Sequence, residues 1–242
     1  MHERVNTAIT GFCTLLKEVY TEDFLTLVLY GSAAGNTYRA DSSDINILVI
    51  LEKNSAANVF KLGKAAKKLL AKYRISPFIM TSKEFVSAAD VFPLEFCDIL
   101  DMNTVVYGDK DILNLTVSRE HLRHEMEEKL RGTVNDLHNM ILLAQGNEKV
   151  LSRFLANWSG MGCILFRGLL RLKGKSVTDL DAKNIISETE KEYGVALESF
   201  LTLNDLRHNK KPLPTSASSF TAAILESLNA LIIIVDAMDG AK

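Results

Sequence analysis

Residues 25–51 read LTLVLYGSAAGNTYRADSSDINILVIL, and their reading decides the fold. Two apolar runs of strand length, Leu25–Tyr30 and Ile45–Leu51, frame a turn of small residues and a polar loop. Short apolar runs bounded by turn residues are the pattern of buried strands. Gly31 and Ser32 follow the first run at once, Ala33 to Arg39 reads as a short helix, and Ala40 to Ser43 reads as loop. Eleven residues separate Ser32 from Asp44, which opens the second run. Strand side chains alternate between faces, so Asp44 and Asn46 point the same way.

The flanks agree with an α/β unit. Val5, Ile9, Phe12, Leu16 and Val19 recur at helical spacing, so residues 1–20 form an amphipathic helix. Residues 55–73 form another, with Lys61, Lys64, Lys68 and Lys72 on one solvated face. Ile75 to Met80 is a short apolar strand whose Pro77 suits an edge or a strand start. Thr81 or Ser82 caps a short helix, with Glu84 placed to complete the cap. Phe96 to Tyr107 reads as two further strand-like stretches ending at Gly108. After residue 117 the pattern becomes helical: Ser118–Gln145, Glu148–Lys173, a helix opened by Thr178 or Asp179, Leu197–Leu206, and Ala217–Met238 after the loop HNKKPLPTS. Short connections between such helices favour an antiparallel bundle. The expected architecture is an α/β (α+β) domain with a small mixed sheet over residues 1–117, followed by an all-α helical bundle over residues 118–242.

The 25–51 segment resembles the nucleotidyltransferase superfamily that includes DNA polymerase β and kanamycin nucleotidyltransferase. That family's motif is a strand, then Gly-Ser or Gly-Gly, then a short spacer, then Asp-x-Asp or Asp-x-Glu within a strand. Gly31, Ser32, the spacer and Asp44-Ile45-Asn46-Ile47 stand in those places. The later FPLEFCDILDMNTVVYG, residues 92–108, resembles the end of such domains in bacterial members, and an α-helical C-terminal region resembles the kanamycin-type enzymes. The resemblance implies a nucleoside triphosphate bound at Gly31 and Ser32, Mg²⁺ at Asp44 and Asn46, and transfer of a nucleoside monophosphate to a hydroxyl acceptor with release of pyrophosphate. It also implies a homodimer, which the apolar last helix would suit.

Physical chemistry gives each motif position a task. Gly31 lets the backbone turn sharply where phosphates approach. Ser32 stands where a helix would begin, and free N–H groups there attract phosphate oxygens. Two carboxylates on one strand face hold metal ions that neutralise a triphosphate and activate the attacking hydroxyl. This sequence departs at the second carboxylate, where Asn46 offers an oxygen ligand without charge. It departs again in Ile75 to Met80, where Ser76 is the only polar side chain and a third carboxylate belongs. Asp41, Glu95, Asp98 and Asp101 are the substitutes within reach in sequence. Two divalent ions beside one carboxylate would repel strongly at low dielectric, so a single Mg²⁺ is expected. The alternative is a catalytically inactive nucleotide-sensing or interaction protein of the same fold.

Other features carry less. The chain has a formal net charge of −2, which argues against binding nucleic acid through counterion release. Cys13, Cys97 and Cys163 form no CxxC pair and read as reduced thiols of a cytoplasmic protein. The N-terminus lacks the apolar core of a signal peptide. Glu226, Asn229 and Asp236 interrupt the apolar run Phe220–Met238, so a core helix is expected there and no membrane span. Arg119 with His124, and Arg131 with His138, resemble in spacing the HEPN ribonuclease pair, but Arg and His are common on helix surfaces. His121 and His124 share a helix face without supporting ligands. Gly160-Met161-Gly162 reads as close helix packing and Trp158 as core or interface. Arg39, Arg167, Arg171, Lys173 and Lys175 read as surface cations.

Overall fold

The structure, a computed structural model, describes residues 2–36, 38–41, 43–158, 162–178, 180–209 and 215–238; of residues 156–158 and 206–209 it describes the backbone. The chain divides into two compact units, Met1–Ser118 and Arg119–Lys242. The first unit runs α1 (Glu3–Tyr20), β1 (Phe24–Tyr30), β2 (Ile45–Leu51), α2 (Ala56–Tyr73), β3 (Ile75–Thr81), α3 (Ser82–Ser87), α4 (Pro93–Asp101) and β4 (Asn103–Tyr107). Its sheet has the order β3-β2-β1-β4. β1 is antiparallel to β2 and β4, whereas β2 and β3 are parallel. Parallel neighbours need a crossover connection, which α2 supplies.

Both sheet faces are covered, which is why β1 and β2 read as unbroken apolar runs. On one face Leu27, Leu29, Ile47 and Val49 pack with Val5, Ile9, Phe12 and Leu16 of α1 and with Leu62 and Ala66 of α2. On the other, Val28, Tyr30, Leu48 and Ile50 pack with Met80, Phe85 of α3, and Phe96 and Ile99 of α4. Each fully buried Val, Leu, Ile or Phe contributes about 1.5–3 kcal/mol, so these two layers hold the unit together. β3 is an edge strand, and its Pro77 lies opposite Ile47.

Two expectations in this unit are corrected. Phe96 to Tyr107 is not two strands: Pro93–Asp101 is helix α4, and only Asn103–Tyr107 is a strand. Pro93 stands in the first helical turn, where its missing N–H costs nothing, and the buried Phe96 and Ile99 are three apart. The short helix expected from Ala33 to Arg39 is instead a 3-10 turn over Gly31–Ala33, and residues 34–36, 38 and 39 are not helical. A single turn between a positive-φ glycine and Gly35 does not overcome the cost of helix nucleation.

The second unit contains α5 (Arg119–Ala144), α6 (Glu148–Trp158), α7 (Gly162–Leu172), α8 (Ala182–Tyr193), α9 (Glu198–Asn209) and α10 (Ala217–Asp236). α5 packs on α6, α7 and α10, and α8 on α7 and α9. The helix expected over 148–173 is described as α6 and α7, and residues 159–161, with Gly160 and Met161 among them, lie outside the described residues. The third helix opens at Ala182, not at Thr178 or Asp179. Asp181 is its cap, accepting a 2.8 Å hydrogen bond from the Asn184 N–H, and Asp179 lies outside the described residues. In the loop HNKKPLPTS, residues 210–214 are likewise outside them. α10 is long and apolar enough to cross a membrane by length and composition. It buries Phe220, Ile224, Leu228, Leu231 and Val235 at spacings of three and four, the stripe of a helix packed on its neighbours.

Candidate functional site

The site is the end of the sheet where β1 finishes and β2, β3 and β4 begin. Gly31 leaves β1 with φ +70°. An L-residue pays about 1–2 kcal/mol for such left-handed backbone, and glycine does not. The Gly31 N–H donates to the carbonyl of Met102 (3.0 Å), which ties the turn to the junction of α4 and β4. The Gly31 carbonyl accepts from the N–H groups of Ala34 (3.0 Å) and Gly35 (3.3 Å). Ser32 is half-buried within this turn. With only one 3-10 turn present, no helix dipole stands behind Ser32, and anion binding there rests on local backbone groups and the hydroxyl.

Asn46 reaches the same place from β2. Its Cα lies opposite Tyr30 of β1 and Ser76 of β3. Its Nδ2 lies 3.5 Å from where a Cβ on Gly31 would stand, so the amide packs on the glycine. The structure thus joins Gly31, Ser32 and Asn46, which are distant in sequence.

Asp44, just before β2, is held by a residue that the local pattern gives no reason to select. Its Oδ1 accepts a 2.9 Å hydrogen bond from Nε of Arg74, and the Arg74 Nη1 donates to the carbonyl of Asp41 (3.3 Å). The two side chains are 54 % and 44 % exposed, so the pair is worth only about 0–1 kcal/mol in stability. Arg74 follows α2 with φ +56°, in the left-handed position that usually takes Gly or Asn. Its carbonyl accepts from the Ile45 N–H (3.0 Å), which sets the guanidinium beside the start of β2. The only signal for Arg74 is the β2–β3 register, a contact thirty residues apart in sequence.

The position beside Asn46 on β3 is Ser76, so that strand brings no carboxylate. Glu95 and Asp98 come over the same sheet face on α4. The Tyr30 hydroxyl donates to Glu95 Oε1, and burial, together with the charges of Glu95 and Asp98, pushes the phenol well above its ordinary range. Among the described residues no three His, Cys, Asp or Glu side chains converge to hold a metal. The donor set is one arginine-paired carboxylate and one amide. That set fits a single Mg²⁺ carried mainly by phosphate oxygens and not a two-ion centre.

The remaining candidates do not assemble. Arg119 donates from Nε to the Leu172 carbonyl (3.1 Å), while His124 lies beside Glu120 and Arg123. Arg131 pairs with Glu127 and approaches Asp236, and His138 is exposed. His121 is exposed, as are Lys61, Lys64, Lys68 and Lys72 of α2. Lys175 pairs with Glu192, and Lys173 lies over the Tyr193 ring. Arg39 is exposed, with its backbone N–H bonded to the Ser43 hydroxyl. The side chain of Trp158 lies outside the described residues.

No protein-family model matches the chain, and no curated protein matches it in sequence. Among solved structures it is similar to spectinomycin adenyltransferase AAD(9) from Enterococcus faecialis, crystallised with ATP and spectinomycin. That likeness has a TM-score of 0.58 at 12 % identity and covers 96 % of this chain and 99 % of the other. The strand, glycine turn and return strand of residues 25–51, the small mixed sheet and the helical second unit have the fold of that adenyltransferase.

Proposed function

We propose that the protein binds a nucleoside triphosphate at the sheet end, with Gly31 and Ser32 as the phosphate-facing turn and Asp44 and Asn46 as the pair facing a single Mg²⁺. The observation that carries this reading is the packing of the Asn46 amide on Gly31, which brings the two halves of the motif together. The solved neighbour with ATP bound supports the same ligand class. Mg²⁺, when bound, supplies neutralisation of the triphosphate charge. The chain's own contributions are a glycine turn open to the phosphates, the Ser32 hydroxyl, the Asp44 carboxylate and the Asn46 amide. In an active protein the outcome is transfer of a nucleoside monophosphate to a hydroxyl acceptor and release of pyrophosphate.

A second reading, nucleotide sensing without turnover, is favoured by two observations. Asp44 is paired with Arg74, and Ser76 stands beside Asn46. Calorimetry with Mg-ATP and the other triphosphates, run beside a pyrophosphate-release assay with hydroxyl acceptors, separates the two. Binding that weakens about tenfold or more in Asp44→Ala, with the fold intact, supports the site. Pyrophosphate release lost in that variant supports transfer, and binding without release leaves sensing. No binding of any triphosphate would overturn both readings.

A further inference from the structure

Arg74 has more capacity than its contacts use. A guanidinium carries five N–H donors, and among the described residues two are engaged, one to Asp44 and one to Asp41. Among the described residues the other three donors meet no partner, on a side chain that is 44 % exposed. The residue also occupies left-handed backbone at φ +56°, where glycine would rest without strain. A non-glycine residue kept in such a conformation is a reason to look for a task.

Its place in the sheet indicates that task. Gly31 follows β1, Arg74 precedes β3, and β2 lies between those strands. Two inter-strand steps of about 4.8 Å put the two backbones roughly 10 Å apart, within reach of an arginine side chain and a polyphosphate together. Planar guanidinium donors match phosphate oxygens in pairs. The site also lacks the charge that a second metal would bring, because Asn46 and Ser76 provide no carboxylate to hold one.

We infer that Arg74 is a phosphate-binding residue of this site, one whose fixed positive charge lets the sheet end hold a polyphosphate without a divalent metal. The inference rests on the nucleotide-binding reading above. It places the Asp44–Arg74 pair as the means of aiming the guanidinium. Asp44 keeps the Nε–H and the Asp41 carbonyl one Nη1 donor, and the remaining Nη donors are those offered to the ligand.

The test is calorimetry of the full chain with ATP and with inorganic tripolyphosphate, each in excess EDTA and in excess Mg²⁺. Arg74→Gly is the informative variant, because glycine suits φ +56° and the fold is kept, which a urea denaturation curve confirms. The expected result is binding of both probes in EDTA that weakens at least about tenfold in Arg74→Gly and is partly kept in Arg74→Lys. Binding by the wild-type chain in Mg²⁺ alone would overturn the role of Arg74 while leaving the nucleotide site standing. Binding in EDTA that Arg74→Gly leaves unchanged would overturn it equally. No binding of either probe under either condition would overturn this inference and the nucleotide reading together.

Discussion

The body of β2 and the start of that strand, with Asp44 just before it and Asn46 within it, differ in almost everything. Ile47 to Leu51 are buried on both sheet faces, and the layers of α1 with α2 and of α3 with α4 enclose them. Asp44 is exposed and ion-paired, and Asn46 is half-buried against a glycine. The body is fixed by apolar packing that tolerates little change. The end is fixed by one turn, one amide and one arginine pair, each worth little in stability. Substitutions in the body should therefore read out as stability, and substitutions at the end as ligand affinity.

The largest effect expected is on stability. Leu48→Ala empties a fully buried place between β1 and β3 and should cost about 2–5 kcal/mol in urea denaturation. A cost near zero would mean that the strand body is not the core described. Gly31→Ala is smaller and of a different origin. A Cβ there meets Asn46 Nδ2 only at 3.5 Å, an ordinary contact, so the cost is that of φ +70°, about 1–2 kcal/mol. A neutral result would remove the positive-φ turn from the account.

At the sheet end, Asn46→Asp adds a carboxylate two residues from Asp44. Mn²⁺ affinity, followed by electron paramagnetic resonance in the presence of a triphosphate, should rise several-fold as the site gains charge. Unchanged affinity would show that residue 46 does not face the metal. The smallest effect concerns acid. The backbone N–H and hydroxyl of Thr81 bond the Glu84 carboxylate and hold its pKa below the ordinary value. A lowered folded pKa contributes stability above the unfolded carboxylate's pKa and loses it as pH falls through the folded one. The stability gap between the wild type and Glu84→Gln should therefore be present at neutral pH and close under acid. A gap that does not change with pH would remove the charge of Glu84 from the cap.

The same contrast explains what could be read in the sequence. The strand body was legible because burial on both faces forces an unbroken apolar run. Gly31, Ser32 and Asp44 stood out because a turn and a strand start have local signatures. Arg74 did not, because its pairing with Asp44 depends on the parallel register of β2 and β3 across α2. The approach of Glu95 to Tyr30 likewise spans a long sequence separation. Helix α4 reads as strand in the sequence because its short apolar stretch has too few turns to show a period, although Pro93 in its first turn is a helix-start signal. The loss of the expected Ala33–Arg39 helix was hidden for the same reason: so short a segment follows its surroundings and not its own propensity.

The claim at the centre is that the polar end of the sheet is where a polyphosphate sits. A crystal structure with a non-hydrolysable nucleoside triphosphate and Mn²⁺ tests it most directly. The account predicts phosphate oxygens against Gly31 and Ser32, no more than one Mn²⁺, bound at Asp44 and Asn46, and the guanidinium of Arg74 on the phosphates. Nucleotide bound away from this turn, or two Mn²⁺ ions at Asp44, would contradict it.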